Sequence, residues 1–430
     1  LLSSRYHDTL KTREKYESKA IMIRFIHTAD IHFGVENYGK IDPTTGIHSR
    51  LLDFAKALNF IIDVAIEKQV DFFLFCGDAY KTHNPTQTQQ KLLLESFLRL
   101  HHAGIPVVII IGNHDHPVSF GKTNALELFS QLPTTGFHVI QKPQLLPLQT
   151  KNGIIQIVGI PWPTRATIAM TTAHAHKATE TIASIIASTV STIITRLSEQ
   201  LDPNIPSILA GHLTVSNGIF SGSERTAIIG TDPIFLPSQL ALSQFDYVAL
   251  GHLHRHQQLS SHPPIVYSGS PERIDFGERN DTKGFCLVSI EKKRCSYEFI
   301  KTPVRDFIQL EINLCADIPY TDQIIQRISQ TNIDNAILKI LYRVPQETQY
   351  TVDTHQIHKA CARAMHLAGI IPLYQHQART TRMQFHEQES FMSVIETYLQ
   401  SKPELAQIKT ELLEKITALQ NEIATQENQE

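Results

Sequence analysis

The segment IMIRFIHTADIH (21–32) is a short apolar run that ends in Asp30 and His32. Four further runs end the same way. DFFLFCGD (71–78) stops at Asp78, IPVVIIIGNHD (105–115) reaches Asn113, PSILAGH (206–212) reaches His212, and DYVALGHLH (246–254) reaches His252 and His254. A continuous apolar run of this length, bounded by Gly, reads as a buried strand of a largely parallel sheet. In open α/β sheets, ligands collect in the crevice beyond the carboxyl ends of the strands. Five strands therefore carry seven potential metal ligands to one edge, which is what a two-metal hydrolase needs.

Two neighbouring cations need a bridging carboxylate, and each also needs neutral nitrogen or oxygen ligands. Asp78 is assigned as the bridge. Asp30, His32 and His254 complete one site; Asn113, His212 and His252 complete the other. Mixed imidazole and carboxylate shells suit Mn2+, Fe2+ or Zn2+ rather than Mg2+ or Ca2+, and the lack of Cys argues against structural zinc. Such a pair activates water and steadies the leaving oxygen of an in-line displacement at phosphorus. His114, directly after Asn113, cannot easily share that metal. It is placed instead to protonate the leaving oxygen or to stabilise the charged transition state. Asp115 is expected to hold the His114 ring in the required tautomer and raise its pKa. A lone D-x-H or G-H carries little weight. The ordered set of all five, each behind a strand, carries much, because five independent accidents would have to coincide.

At 430 residues the chain has room for two or three domains. Its 42% hydrophobic and 19% charged content is that of a soluble globular protein, and no apolar stretch is long enough to span a bilayer. No charged segment followed by an apolar one opens the chain, which speaks against secretion. The five scattered cysteines, without a C-x-x-C pair, fit a reducing cytosol. A net charge of −3 does not mark a nucleic-acid binder. Residues 386–430 hold nine Glu and three Lys, however, so the remainder is mildly basic and permits phosphate binding. Histidines outside the motifs, such as His174, His176, His355 and His358, read as surface residues.

Residues 1–21 read as a poorly ordered extension. Residues 22–302 alternate strand and helix, with an amphipathic helix over 51–67 and another capped at Asn84-Pro85-Thr86 and running to about His102. Short runs across 138–160 suggest added antiparallel strands, and 166–200 a covering helix. Residues 303–385 read as a small α+β cap domain, with strands over 307–314 and 336–344 and helices over 321–329 and 352–368. Residues 386–430 carry two apolar stripes, 391–399 and 405–423, broken near Pro403. They form a helical pair that either folds onto its own domain or docks a partner coiled coil.

The ordered motifs D-x-H, G-D, G-N-H-D, G-H and G-H-x-H resemble those of the calcineurin-like metallophosphoesterase superfamily. Within it the chain is most similar to the SbcD type of DNA exonuclease subunit, the bacterial relative of the meiotic-recombination nuclease. The likeness rests on HTADIHFGVENYG (27–39), CGDAYKTHNPT (76–86), GNHDHP (112–117), ALGHLHRHQ (249–257) and YSGSPERIDFGE (267–278). It covers roughly residues 22 to 300 and extends to the cap and helical tail by architecture. The resemblance implies an α/β sandwich with helices outside and a pair of Mn2+ ions. It also implies 3′→5′ exonuclease action on duplex ends and endonuclease action on single strands or hairpins. A homodimer in the cytoplasm, nucleoid-associated when bound to DNA, would work with an SbcC-type coiled-coil ATPase docked on residues 386–430.

The family carries a second catalytic His three residues after the bridging Asp, where this chain has Lys81. Lysine supplies a point charge for phosphate rather than a near-neutral acid, and His83 stands two residues off. Arg50, Lys81, Arg225, Arg255 and Arg273 are candidate DNA contacts because they follow or flank the motifs. Two other readings compete: a phosphatase or small-molecule phosphodiesterase of the same superfamily, and a non-catalytic scaffold. GDAYKTH in place of G-D-x-x-D-R-G weighs against the first. A complete ligand set weighs against the second.

Overall fold

The computed structural model describes residues 22–116, 123–164, 179–222, 232–345, 351–374, 391–400 and 409–427. The extension expected over 1–21 lies outside the described residues. In chain order the first strands are β1 (Ile23–Thr28), β2 (Phe72–Phe75), β3 (Val107–Ile110), β4 (Phe137–Ile140), β5 (Gln144–Thr150), β6 (Gly153–Ile160) and β7 (Ser207–His212). Then come the short β8 (Thr214–Val215) and β9 (Ile234–Phe235), followed by β10 (Tyr247–Gly251), β11 (Gln257–Ser261), β12 (Pro264–Tyr267), β13 (Gly284–Glu291) and β14 (Arg294–Lys301).

These strands build two six-stranded sheets, ordered β14-β13-β1-β2-β3-β4 and β11-β12-β10-β7-β6-β5. Each has a parallel centre, with antiparallel strands added at one margin of the first sheet and at both margins of the second. The apolar runs are continuous because both faces of each strand are covered. On β2, Phe72 and Leu74 point into the space between the sheets, where they meet Ile157, Ile208 and Ala249 of the second sheet. Phe73 and Phe75 point outward against the helices α1 (Ser49–Glu67) and α2 (Gln87–His102). The second sheet repeats the pattern. Leu209 and Val248 face Ile186, Val190 and Ile194 of the helix Thr179–Ser198. The result is a four-layer α/β/β/α sandwich, in which each fully buried large apolar side chain contributes about 1.5–3 kcal/mol.

Local signals placed the two helices on the first sheet. Thr86 caps α2 in a closed capping box: its hydroxyl accepts from Gln89 N, and the Gln89 side chain accepts from Thr86 N. Leu93, Phe97 and Leu100 of α2 bury against Leu126 and against Phe129 of the one-turn helix α3 (Leu128–Gln131), leaving Leu128 exposed.

Two expectations need correction. β4 pairs parallel to β3, so it continues the first sheet, and only β5 and β6 form the antiparallel pair. The helix expected over 352–368 is short, Thr354–Ala360. His366–Tyr374 is instead β17, beside β15 (Phe307–Asn313) and β16 (Ile337–Val344) in a three-stranded sheet. Adjacent Ile370 and Ile371 and the donor-less Pro372 oppose a helix there, and Gly369 lies within the strand rather than capping a helix.

The contact pattern separates two compact units, one of Leu1–Arg343 with Glu347–Pro372, the other of Val344–Gln346 with Leu373–Glu430. The first contains the sandwich and nearly all of the three-stranded sheet. In the second, the described helices are Phe391–Gln400 and Lys409–Glu427. The predicted start of the second stripe, at Leu405, is outside the described residues.

Candidate metal centre

The five ligand-bearing strands are divided between the sheets: β1, β2 and β3 belong to the first, β7 and β10 to the second. At their carboxyl ends the backbone turns sharply. Asp30, His32, Asp78 and His252 adopt φ of 56°, 52°, 57° and 104°. This region is uncommon for residues other than glycine, with Asn, Asp and His the best tolerated, and such strain gathers at functional sites. The turns are tied to one another, since Asp30 N donates to Gly77 O (2.9 Å) and His32 N to Asp78 O (3.0 Å). The glycines before the ligands permit the close approach. A Cβ on Gly112 would strike the Asp78 carboxylate, and one on Gly251 would strike the Cys76 carbonyl of the facing sheet.

All seven predicted ligand side chains come together. Ligand atoms of Asp30, His32 and His254 lie within 4.8 Å of one another, with the two Nε2 atoms of the histidines 3.0 Å apart. Asn113 Oδ1 is 2.9 Å from His212 Nε2 and 3.2 Å from His252 Nδ1. Asp78 Oδ2 stands between the groups, 3.6 Å from His32 Nε2 and 3.4 Å from His212 Nε2.

The rings are oriented from behind. His212 Nδ1–H donates to the Cys76 carbonyl (2.7 Å), and His254 Nδ1–H donates to Glu278 Oε1 (2.8 Å). His252 presents Nε2 to Asp232 Oδ2 at 3.4 Å. In each case the nitrogen left over faces the cluster, as metal-ligating histidines require. With buried carboxylates, neutral imidazoles and an amide oxygen, the donor set suits a pair of divalent transition-metal ions.

The electrostatics point the same way. Burial pushes the Asp30 carboxyl up to about 7, against the pull of His212 and His254. Burial acts likewise on Asp78, but the imidazoles of His212 and His114 overcome it and hold that carboxyl well below the usual range. Burial would lower His212; Asp78 and Asp30 reverse this and lift it to about 9. His32 and His252 are lowered by burial. A protonated His212 and Asp30 would have to release protons before ligating a cation.

His114 sits at the rim with its side chain 43% exposed and its Nε2 4.0 Å from Asp78 Oδ2. Its main-chain N–H donates to Asp78 Oδ1 (2.9 Å). The expected partnership with Asp115 is corrected by the structure, because His114 Nδ1 bonds to the Lys81 carbonyl (2.7 Å). Asp115 faces inward and accepts from the backbone N–H groups of Asp78 (2.8 Å), Ala79 (3.0 Å) and Gly112 (3.0 Å). It joins the two turns that carry Asp78 and Asn113. Burial, with Asp78 nearby, pushes its carboxyl up to about 6.

Among the candidate DNA contacts, Lys81 is exposed, and Arg255 is half exposed with Nε 4.0 Å from Asp281. Arg50 is a correction: its side chain is 0% exposed, bonded to Asp53 (2.8 Å) and the Arg273 carbonyl (2.5 Å) and 3.7 Å from Glu272, so it cannot reach a phosphate in solvent. The Arg273 guanidinium is turned inward onto the Arg305 carbonyl (2.7 Å). Arg225 lies outside the described residues. Sequence reasoning missed Glu278, Asp232 and Trp162. The Trp162 ring lies 4.9 Å from that of His252 and 6.0 Å from that of His212, and the run IPWP after β6 was its only signal.

The sequence profile described as calcineurin-like phosphoesterase matches residues 23–256. The metallophosphoesterase YhaO of Bacillus subtilis is 29% identical over 283 residues, covering 64% of this chain; the chain spans only 60% of that relative's length. The SbcD component of the SbcCD nuclease of Staphylococcus saprophyticus is 31% identical over 294 residues, covering 67% of this chain and 71% of the relative. Its counterpart from Staphylococcus epidermidis is 26% identical over 399 residues, 90% of this chain and 96% of the relative.

Proposed function

Because the chain belongs to the calcineurin-like phosphoesterase family, and is thus a metal-dependent phosphoesterase, we propose that it is a two-metal DNA phosphodiesterase of the SbcD type. The carrying observation is Asp78 Oδ2, set 3.6 Å and 3.4 Å from histidine nitrogens of two separate ligand groups. Asp30, His32 and His254 would hold one Mn2+, and Asn113, His212 and His252 the other, with Asp78 shared. When bound, the pair supplies positive charge that activates water and stabilises the phosphoryl oxygens in the transition state. The preference for DNA draws support from the two relatives named as components of the SbcCD nuclease.

The chain's own residues account for the rest. His114 donates Nδ1–H to the Lys81 carbonyl, so Nε2 faces the site, and in the cationic ring it is the nitrogen that can give a proton to the leaving oxygen. A main-chain carbonyl thus sets the orientation of the ring, whatever side chain residue 81 carries. Lys81 can add a phosphate contact from the same turn. The expected reactions are 3′→5′ removal of nucleotides from duplex ends and cleavage of single strands or hairpins. An SbcC-type ATPase would dock on residues 386–430, where Tyr398 and Leu419 of the described helices are exposed. The working form is a homodimer in the cytoplasm. No described helix is long and apolar enough to cross a membrane.

The test is a nuclease assay on end-labelled duplex and hairpin DNA with Mn2+ or Mg2+, beside a small chromogenic phosphodiester. Mn2+-dependent cleavage of DNA that EDTA abolishes is expected. His114→Ala should retain metal and lose roughly 100-fold or more in turnover. Cleavage of the small ester with DNA left intact would move the assignment to a small-molecule phosphodiesterase.

A further inference from the structure

The segment YSGSPERIDFGE (267–278) supplies none of the seven ligands, yet two of its side chains, Ser270 and Glu278, join with Lys283 in a buried polar chain that ends on one of them. Glu278 closes a single 3-10 turn, Phe276–Glu278, capped by Asp275, whose carboxylate accepts from Gly277 N (2.7 Å). Its carboxylate is fully used. Oε1 accepts from His254 Nδ1–H (2.8 Å), while Oε2 accepts from Ile274 N (2.9 Å) and pairs with the Lys283 ammonium (2.7 Å). Both side chains of that ion pair are 0% exposed. Lys283 Nζ also donates to the His254 carbonyl (3.0 Å) and to Ser270 Oγ (2.9 Å).

We propose, on the footing that the seven residues hold two divalent cations, that Glu278 is a positioning residue for the metal centre and Lys283 the counter-charge that keeps it there. The ion pair grips His254 at both ends, the carboxylate behind the ring and the ammonium on the main-chain carbonyl. A carboxylate on Nδ1–H fixes the tautomer with Nε2 free and makes that nitrogen a stronger donor. His212 is backed by a neutral main-chain carbonyl instead. The ion pair therefore acts on the Asp30–His32–His254 group and leaves the Asn113–His212–His252 group alone. A merely structural salt bridge would stabilise the fold without favouring either group.

Calorimetric titration of EDTA-stripped full-length protein with Mn2+ separates the two roles. Wild type should bind two ions. Glu278→Met strands a buried ammonium, so Tm should fall by roughly 5–10 °C and one of the two sites should weaken roughly 10–100-fold. Glu278→Met/Lys283→Met removes both charges. It should regain the thermal stability while the weakened site stays weak, and KM for the phosphodiester should be less affected than kcat at limiting Mn2+. Wild-type affinity at both sites in the folded double variant would overturn the positioning role. Ring 15N shifts of His254 in the metal-free wild type give a check that needs no variant to fold: a proton on Nδ1 is expected, and a proton on Nε2 overturns the proposal. Failure of the wild type to bind any Mn2+ would overturn the metal-centre reading itself.

Discussion

His27 should set the acid limit of this fold. It lies on β1, three residues before Asp30, with its side chain fully buried between the two sheets. Nε2–H donates to the Leu250 carbonyl of β10 (3.1 Å), and Nδ1 accepts from the Tyr247 hydroxyl (3.1 Å). A neutral ring therefore has both nitrogens satisfied and joins one sheet to the other directly beneath the metal centre. Burial pushes its pKa from 6.5 down to about 3, outweighing the bond to Leu250. Unfolded, the ring takes up a proton near pH 6.5; folded, it does so only near pH 3. Between those values the unfolded chain binds more protons, so stability is fully present above pH 6.5 and drains away as pH falls. At about 1.4 kcal/mol per pH unit the loss reaches about 5 kcal/mol by pH 3, much of a typical domain's 5–15 kcal/mol.

Urea unfolding of wild type and His27→Gln, both in EDTA, between pH 7.5 and 4 measures this. Glutamine can make similar hydrogen bonds without titrating and should cost about 1–2 kcal/mol at pH 7.5. The wild-type curve should fall more steeply, so that the variant becomes the more stable protein near about pH 5. Parallel curves would refute the reasoning, because they would mean that His27 takes up no proton on unfolding in this range.

Asp115→Ala leaves three or more backbone N–H groups without their acceptor and should cost roughly 3–5 kcal/mol, read by Tm. Mn2+ affinity should drop with it, because the turns carrying Asp78 and Asn113 come apart. Arg50→Ala removes the guanidinium that faces the buried Glu272, while Asp53 keeps Arg305, and should destabilise by about 3–5 kcal/mol without changing the salt dependence of DNA binding. Lys81→Ala should do the reverse, holding Tm while the log–log salt slope falls by about one. Asp78→Ala should abolish Mn2+ binding at both sites in the same titration.

The ligands were legible because a strand covered on both faces shows as an unbroken apolar run, and the run's end marks where a side chain can reach the crevice. What stands behind the ligands was not. Glu278 and Asp232 reach their histidines from 24 and 20 positions away, and nothing in local pattern links FGE to GHLH. Asp115 was misread by adjacency: in so tight a turn, its side chain and that of His114 point to different partners. Arg50 was misread through its charge. Nothing nearby announces that Asp53 three positions on and Glu272 far along the chain will bury it. β17 was missed because the residues after Ala360 were read as a continuation of the short helix, although Ile370, Ile371 and Pro372 speak for a strand.

The division of the ligands between two sheets has its own consequence. Asp30, His32, Asp78 and Asn113 come from one sheet, and His212, His252 and His254 from the other, so neither sheet alone can complete either group. The site exists only when the sandwich is closed. The sheets are also joined at this end through groups that sequence alone does not mark as functional: the His27 bond to Leu250, and Gly251, whose missing Cβ admits the Cys76 carbonyl. Cations bound across the seam would add their binding energy to the folded state and none to the unfolded one. The buried, mutually repelling Asp30 and Asp78 work in the opposite direction when no cation is present. A centre of this kind would be both catalytic apparatus and a clamp between the sheets, and substitutions at Gly251 or His27 should weaken Mn2+ binding although neither residue is one of the seven ligands.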